Sequence, residues 1–404
     1  MPRPRCVAVN LDLEWPYKRH ASLFAGTQRY AREQGWTSVI DEYVDRSLPQ
    51  RRTAPLPYDG VIGRASRRFA EKTKRLGVPA VNVWYSSPVW QQLPGVFPDF
   101  EAVGRLRAEH LLARGLRQFA VLHHEGRGQK LEAKAFRTEL ASAGFECNTE
   151  KISLSISSSY DSWKKAQRQI DGWMSQWQLP IGVSVGREAA GRMVAQLCHQ
   201  RGWRVPQDVA IVAGHNEETL CEDPRPSLTS VELGYDRIGY EAARMLDRLM
   251  DAKRKRQRKK TTRKKTKQAA SPEHIFLPPL GLVVRESTDF YAVNDDMIAT
   301  ALTFIAEQCH GDIHSADVAV AASTHLKTLQ RRFRSVLDRS IAAEIRRVRI
   351  ERAKRELAQG NRPLADIAHD VGFSSSMRMY DIFVRELGVT PRQFRKERQL
   401  EGGT

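Results

Sequence analysis

Two similar stretches decide the fold of the C-terminal part of the chain: DVAVAASTHLKTLQRRF at Asp317–Phe333 and DIAHDVGFSSSMRMYDIF at Asp366–Phe383. Each stretch predicts a short helix, a tight turn and a longer second helix. In the second copy Gly372 is expected to form the turn, and Ser374 or Ser375 the N-cap of the second helix. The weak internal repeat therefore predicts two helix-turn-helix units.

The second helix of each copy combines an apolar anchor with a polar face. Leu329 with Phe333, and Met379 with Phe383, are spaced i, i+4 and should pin these helices to a core. The major groove of DNA admits one α-helix whose polar side chains pair with base edges, and serines at a helix start can bind phosphate. We therefore predict these DNA-binding residues: His325, Lys327, Thr328, Gln330, Arg331, Arg334, Ser374, Ser375, Ser376, Met377, Arg378 and Asp381.

A single helix is predicted between the two copies, at Ala342–Ala358, and its length would be about 25 Å. Periodicity is helical almost throughout Asp295–Arg398, with glycine and proline only at breaks. The sequence thus predicts an all-α domain at 290–404. The apolar face of the connecting helix comprises Ile341, Ile345, Val348 and Leu357.

This domain resembles the AraC/XylS-type DNA-binding domain. The resemblance rests on Leu329-Gln-Arg-Arg-Phe333, Arg349-Ile-Glu-Arg-Ala353, Ile367-Ala368, Gly372-Phe373 and Gly388-Val-Thr-Pro391 with Phe394-Arg395. It implies base contacts from Lys327, Gln330, Arg331, Met377, Arg378 and Asp381. Ser323 and His325 depart from the usual glycine and capping serine of the first turn. Asp381 stands at a position where this family often has a basic residue. An acid there repels phosphate but can accept a hydrogen bond from cytosine N4.

The first 289 residues alternate short β-rich runs with amphipathic helical stretches, which is typical of parallel sheets covered on both faces. We predict two doubly wound α/β lobes with a ligand crevice at the carboxyl ends of their strands. The predicted strands are Cys6–Leu13, Val39–Tyr43, Gly60–Gly63, Ala80–Trp84, Phe119–His123, Ile181–Val185, Val209–Gly214 and a β-rich stretch at His274–Val284. The predicted helices lie near 20–34, 101–114, 130–143, 161–177, 187–201 and 235–251.

Aromatic, charged and amide side chains follow several of these strands. Sugar sites combine flat aromatic faces with groups that bond hydroxyls. The predicted ligand-binding residues are Trp15, Tyr17, Arg19, Trp84, Asp99, Arg187, Glu188, His215 and Asn216.

The front part resembles the LacI/periplasmic-binding-protein effector fold. The matching stretches are Asp99 with Arg105–Gly115, Val209–Asn216, Ser227–Val231, Gly239–Leu246 and the closing stretch Leu277–Thr288. The order of the two parts, a ligand-sensing domain followed by a DNA-binding domain, is similar to that of the bacterial xylose operon regulators. This resemblance implies a dimeric, sugar-responsive activator that binds operator DNA and recruits RNA polymerase.

Two positions depart from the effector-domain pattern. His215 stands where an aspartate usually holds sugar hydroxyls, and Glu188 where an aspartate is common. His215 and Arg187 beside Arg19 would suit a carboxylate-bearing ligand. A sugar, an acidic or non-sugar effector, and a constitutive regulator without ligand sensing therefore all stay open.

The net charge of +18 is concentrated in one segment, since residues 253–267 contain eleven Lys or Arg and no acid. A basic insertion at 252–272 in the 1–289 domain is predicted from this run. It is either a solvated loop or a non-specific phosphate-binding segment.

Other classes of protein are disfavoured by missing features. The five cysteines are scattered, without a CxxC, which suits a reducing cytosol and argues against a zinc site. Neither a signal peptide nor an apolar run of roughly 18 residues is present, which argues against an exported binding protein or a membrane protein. Because no Walker or GxGxxG motif occurs, we expect no enzyme, no cofactor and a cytoplasmic location.

Overall fold

The computed structural model describes residues 4–14, 17–51, 53–152, 159–258, 272–289, 295–337, 339–359 and 362–395. The front part forms two lobes, each built on one parallel sheet, and the C-terminal part is helical. The predicted fold class, a two-lobed α/β domain with a double helix-turn-helix domain, is confirmed.

The first lobe contains a parallel sheet in which β1, β3 and β4 are central and buried. Their short Val-rich and Ile-rich runs are apolar on both faces because helices cover both sides of the sheet. Its strands are β1 (Cys6–Asn10), β2 (Thr37–Ile40), β3 (Gly60–Gly63), β4 (Ala80–Asn82), β5 (Gly95–Pro98) and β11 (His274–Leu277), in the spatial order β11-β5-β4-β3-β1-β2. Its helices are α1 (Lys18–Glu33), α2 (Val44–Ser47), α3 (Arg67–Leu76) and α9 (Tyr235–Arg258).

The second lobe has a four-stranded parallel sheet between two helix layers. Its strands are β6 (Gln118–His124), β7 (Asn148–Ile152), β8 (Ile181–Val185) and β9 (Val209–Ala213), in the spatial order β7-β6-β8-β9. Its helices are α4 (Phe100–Ala113), α5 (Arg127–Ser142), α6 (Tyr160–Met174), α7 (Glu188–Gln200) and the short α8 (Glu218–Glu222). Helices α4 and α5 pack on one face of the sheet, and α6 and α7 on the other.

The chain passes between the lobes three times: from β5 into α4, from β10 (Ser230–Glu232) into α9, and from β11 into β12 (Gly281–Val283). Strands β10 and β12 form an antiparallel pair at these crossings. Lys18, which follows β1, contacts Glu217, which follows β9. The carboxyl ends of the two sheets therefore face each other across a cleft.

The helical part has two cores joined by one helix. The first core comes from α10 (Asp296–Gln308), α11 (Ser315–Ala321), α12 (Leu326–Leu337) and the start of α13 (Ile341–Gln359). The second comes from the end of α13, α14 (Leu364–Asp370) and α15 (Ser376–Leu387). Helix α13 matches the predicted connecting helix to within one residue at each end.

Several predicted elements require correction. The predicted strand at Val39–Tyr43 is shifted to Thr37–Ile40, because Tyr43 already precedes α2. The predicted β-rich stretch His274–Val284 is divided at its two prolines into β11 and β12, which belong to different sheets. Helix α9 continues to Arg258 and so includes the start of the basic run, whose remainder, 259–267, lies outside the described residues. Strands β5, β7 and β10 and helices α2, α3 and α8 were not predicted.

The first turn of the helical part places Ser323 at a φ of 50°, in the left-handed region, where the equivalent turn of the second unit has Gly372. A side chain in this region costs about 1 kcal/mol because its Cβ crowds the backbone. We expect Ser323→Gly to stabilise α11 and α12 by about 0.5–1 kcal/mol, since the flexibility of glycine in the unfolded chain offsets part of the gain. Hydrogen–deuterium exchange of these helices measures the change. Ser335→Gly, within α12, is the control and should destabilise by about 1 kcal/mol. A loss of protection in Ser323→Gly would contradict the prediction.

Candidate nucleic-acid interface and ligand cleft

Helix α12 exposes nearly all of the first predicted set of DNA-binding side chains. Leu329 and Phe333 are fully buried, as predicted, and fix which face of the helix points outward. Arg332 is turned away from this face, since its Nη1 lies 2.9 Å from Asp295 Oδ2 at the start of α10. Thr328 is half-buried, and the other members of the set are exposed: His325, Lys327, Gln330, Arg331 and Arg334.

Helix α15 presents the second set in the same way. Ser375 is the N-cap, because its Oγ accepts a hydrogen bond from the backbone N–H of Arg378 at 3.1 Å. Met379 and Phe383 are fully buried, while the Met377 side chain is 68% exposed. An exposed apolar side chain on this face suits contact with a thymine methyl group. Ser374, Ser375, Ser376, Arg378 and Asp381 are also exposed.

Helix α13 fastens the two helix-turn-helix units together. Arg349 donates from Nε to the carbonyl of Cys309 at 2.8 Å and from Nη2 to that of Gly311 at 2.7 Å. Arg352 Nη2 donates to the carbonyl of Ala306 at 2.6 Å. Carbonyls at the end of a helix lack partners within it, so these arginines cap α10.

Gly372 adds a second connection between the units. It has a φ of 90°, and a Cβ at this position would overlap the carbonyl oxygen of Cys309. The turn of the second unit therefore lies directly on the end of α10, which belongs to the first unit. Together with Arg349, this contact holds α12 and α15 in one fixed arrangement.

The first-lobe side of the cleft contains a cavity of about 250 Å³ at the carboxyl ends of its strands. The predicted Trp84 lines it, and the Arg64 guanidinium lies over the indole ring at 4.6 Å from the ring centroid. Burial lowers the pKa of Arg64, and the positive charge of Arg19 lowers it further. The cavity is lined by Asn10, Asp12, Glu42, Tyr43, Arg64 and Trp84.

The second-lobe side is a buried ionic network centred on Glu132. His215 Nε2 lies 2.7 Å from Glu132 Oε1, and Arg107 Nη1 lies 3.3 Å from Oε2. Arg107 and Glu132 are 1% and 3% exposed. Burial alone would raise the pKa of Glu132, but the charges of His215 and Arg107 outweigh it and lower the pKa. The second lobe thus supplies, through Glu132, a carboxylate next to His215.

Glu188 and Asn216 are committed to contacts within the protein. Glu188 Oε1 accepts from the backbone N–H of His215 at 2.6 Å. Asn216 has a φ of 60° and donates from Nδ2 to Glu232 at 2.8 Å, while its Oδ1 accepts from Arg285. These side chains shape the loop after β9.

The remaining predicted ligand residues are dispersed. Asp99 caps α4, because its Oδ1 accepts from the N–H of Ala102 at 2.9 Å. Arg187 is exposed and lies beside His124. Burial of His124, together with the positive charge of Arg187, lowers the pKa of this histidine to about 4. Arg19 donates to the hydroxyl of Tyr235, and burial raises the pKa of this tyrosine to about 12. Tyr17 is exposed, and Trp15 lies outside the described residues.

Lys18 joins the two lobes at this cleft. Its backbone N–H donates to Glu217 at 3.1 Å, and its Nζ lies 2.8 Å from Glu232 and 3.3 Å from Glu218. Burial alone would raise the pKa of Glu232, but hydrogen bonds from Lys18, Asn216 and the N–H of Gly234 lower it. Lys18, at the start of α1, is therefore held by carboxylates of the second lobe and of strand β10.

Sequence reasoning missed several of these residues. Arg64 directly follows the predicted strand Gly60–Gly63, so the strand-end rule could have found it. Asp12 lay inside a predicted strand that proved too long. Lys18 lies between Tyr17 and Arg19, which the strand-end rule selected, so the same rule could have found it. Glu132 lies in a helix and gave no comparable signal.

Comparison with known sequences agrees with this architecture. Residues 108–288 match the family described as the periplasmic binding protein-like domain, and residues 318–397 match the helix-turn-helix domain. The xylose operon regulatory protein of Haemophilus influenzae is 26% identical over 349 residues, which cover 84% of this chain and 85% of that protein. The chain is homologous to the xylose operon regulatory proteins. The relative from Escherichia coli K12 is 24% identical over 345 residues, covering 83% of each chain.

Solved structures share the fold. The xylose-binding transcription activator xylR matches over 98% of this chain and 99% of its own, with a TM-score of 0.58 and 20% identity. The transcriptional regulator CelR in its cellobiose complex matches over 71% of this chain and 86% of its own, with a TM-score of 0.52 and 21% identity. The sequence matches, by contrast, indicate the role: the chain is a transcription regulator with a helix-turn-helix domain and a periplasmic-binding-protein-like domain.

Two further features bear on the class of protein. Among the described residues, no group of three His, Cys, Asp or Glu side chains is placed to hold a metal ion. None of the helices in the described ranges is both long and apolar enough to cross a bilayer.

Proposed function

We propose that the chain is a cytoplasmic, sequence-specific DNA-binding transcription regulator that activates a sugar-utilisation operon in response to a ligand bound between its lobes. The observation that carries this proposal is the pair of exposed polar faces on α12 and α15, held in one arrangement by α13. In this account the chain is not an enzyme, and the boundary between its two functional parts lies near residue 290.

The two faces are spaced to read one side of a DNA duplex. Helix α13 has 19 residues and is therefore about 28 Å long. With the widths of the flanking helices added, α12 and α15 suit adjacent major grooves about 34 Å apart. The predicted DNA-binding residues belong to this surface.

The cleft supports control by a small polyhydroxylated ligand. Asp12, Asn10 and Trp84 line one cavity on the first lobe, and the His215–Glu132 pair lies on the second. A ligand that binds both lobes favours one lobe arrangement and shifts the population toward it. In a homodimer this shift would place the DNA-binding helices on operator half-sites, where RNA polymerase is recruited.

One observation favours a constitutive regulator as a second candidate. Lys18 joins the lobes through Glu217, Glu218 and Glu232, so the protein itself supplies contacts between them. If these contacts hold the active arrangement, then DNA affinity would be the same with and without every effector tested.

The DNA-binding proposal predicts distinct effects for two arginines. We expect Arg331→Ala and Arg378→Ala each to weaken operator binding by about 1–3 kcal/mol and to relax sequence preference in different segments of the site. Fluorescence anisotropy with labelled operator DNA measures both effects. Arg68→Ala, an exposed first-lobe arginine, is the control. If operator affinity were unchanged in both Arg331→Ala and Arg378→Ala, then the exposed faces of α12 and α15 would not be the DNA-binding surface.

A further inference from the structure

The exit segment, residues 286–289, leads from the second lobe toward the helical part and is firmly held by that lobe. The backbone N–H of Ser287 donates to the carbonyl of Ser227 at 2.9 Å, and Ser287 Oγ donates to the carbonyl of Ile211 at 2.6 Å. Ser287 is fully buried. Asp295, the N-cap of α10, follows after residues 290–294, so chain length alone keeps it within about 20 Å of this segment. The helical part is therefore tethered to the second lobe.

Arg285 connects the exit segment to the loop after β9. Its backbone N–H donates to Thr229 Oγ1 at 2.8 Å, and its Nη1 donates to Ser230 Oγ at 2.8 Å. Its Nη2 donates to Asn216 Oδ1, also at 2.8 Å. The Arg285 side chain is only 10% exposed. The residue that directly precedes the exit segment thus depends on the position of the Asn216 amide.

Asn216 lies between Arg285 and the ligand cleft. It follows His215, and its side chain is buried with both ends of the amide in use. Oδ1 accepts from Arg285, while Nδ2 donates to Glu232 Oε2 at 2.8 Å. A rotated amide would place its NH₂ group against the guanidinium, which has no acceptor. The amide therefore keeps this orientation only while both partners stay in place.

Glu232 links this network to the first lobe. Its Oε2 lies 2.8 Å from Lys18 Nζ, and the same oxygen accepts from Asn216 Nδ2. Lys18 is the first residue of α1 in the first lobe. One carboxylate oxygen thus binds both a first-lobe cation and the amide that holds Arg285. Separation of the lobes would remove Lys18 from this oxygen.

We propose that Lys18, Glu232, Asn216 and Arg285 form a relay that transmits the lobe arrangement to the exit segment and from there to the DNA-binding helices. The four residues act through one another as positioning residues. Each successive pair is joined by a hydrogen bond of 2.8 Å. This inference rests on the proposed ligand-controlled function, because an effector between the lobes would set whether Lys18 reaches Glu232 and so shift the population of relay states.

Hydrogen–deuterium exchange of the full-length chain, read at the amides of the exit segment, tests the relay without an effector. We expect Lys18→Met to speed this exchange about threefold or more, which is typical of coupling through such a network. In the Arg285→Met background, the same Lys18 substitution should change the exchange less than about 1.5-fold, because the relay is already interrupted. A purely local role of Arg285 would give independent effects.

Further variants locate the coupling. Asn216→Gly removes the amide, and its φ of 60° suits glycine, so it should also abolish the response to Lys18→Met. Arg285→Lys keeps a cationic donor and should retain part of the response. Lys151→Met is the matched control, because Lys151 forms an ion pair with Glu125 at 2.9 Å outside the relay. The melting temperature of each variant checks that it is folded.

Operator binding separates this inference from the proposed function. Lys18→Met should change the affinity for a duplex enriched from a random DNA pool about threefold or more, and Arg285→Met should remove this dependence. Additive exchange effects, or an exit segment as protected in Lys18→Met as in Lys151→Met, would overturn the relay and leave DNA binding intact. Coupled exchange with equal operator affinities would overturn transmission to the DNA-binding helices. Coupled exchange without any enriched duplex would support the relay within the lobes and overturn the proposed function.

Discussion

Arg107→Met is expected to destabilise the second lobe by about 3–5 kcal/mol, because it removes one partner of a buried ion pair. Arg107 is almost completely buried, lies 3.3 Å from Glu132 Oε2 and donates to the carbonyl of Gly214 at 2.7 Å. Its loss leaves the Glu132 carboxylate buried with only His215 as a partner. Hydrogen–deuterium exchange of β6, β8 and β9 measures the effect.

Two controls separate the ion pair from packing. The double variant Arg107→Met/Glu132→Leu should recover most of the lost stability, since well-packed apolar replacements of buried ion pairs are often neutral. Arg201→Met removes a partly exposed pair with Asp171 in the same lobe and should cost at most about 1 kcal/mol. A loss below 1 kcal/mol for Arg107→Met would contradict the account.

Gly372→Ala is expected to destabilise the second helix-turn-helix unit by about 3 kcal/mol or more. The left-handed backbone at φ 90° penalises any side chain, and the added methyl group would also overlap the carbonyl of Cys309. We expect loss of exchange protection in α14 and α15 and a large loss of operator affinity, while the two lobes remain folded.

Gly388→Ala is the matched control. Gly388 also has a positive φ, at 71°, but nothing lies within 4 Å of a Cβ placed there. This variant should cost only the backbone penalty of about 1–2 kcal/mol. Equal effects from the two substitutions would show that the contact with Cys309 does not matter.

The helical part was largely predictable because its determinants are local. Helical periodicity placed Leu329, Phe333, Met379 and Phe383 in the core, and all four are fully buried. Gly372 was predicted to form the turn from the local sequence, which left the N-cap open between Ser374 and Ser375, and Ser375 is the cap in the structure. The resemblance placed Ser323 at the usual glycine position of the first turn, but periodicity gave no sign that this serine is left-handed, because tertiary packing holds a residue in that conformation.

The cleft was less predictable because its contacts join distant parts of the chain. His215 is separated from Glu132 by 83 residues, and Lys18 from Glu217 by 199. The strand-end rule located His215, Trp84 and Arg19 but could not show which helical residues turn toward them. It also could not show that the imidazole of His215 already has a carboxylate partner.

In vitro selection of DNA from a random pool by this protein shows whether α12 and α15 read a DNA sequence. We expect enriched sites with two conserved segments centred about 10 bp apart, with Arg331→Ala relaxing one segment and Arg378→Ala the other. A pool without enriched sites, or one whose conserved positions are unaffected by both substitutions, would contradict a regulator that reads DNA through α12 and α15.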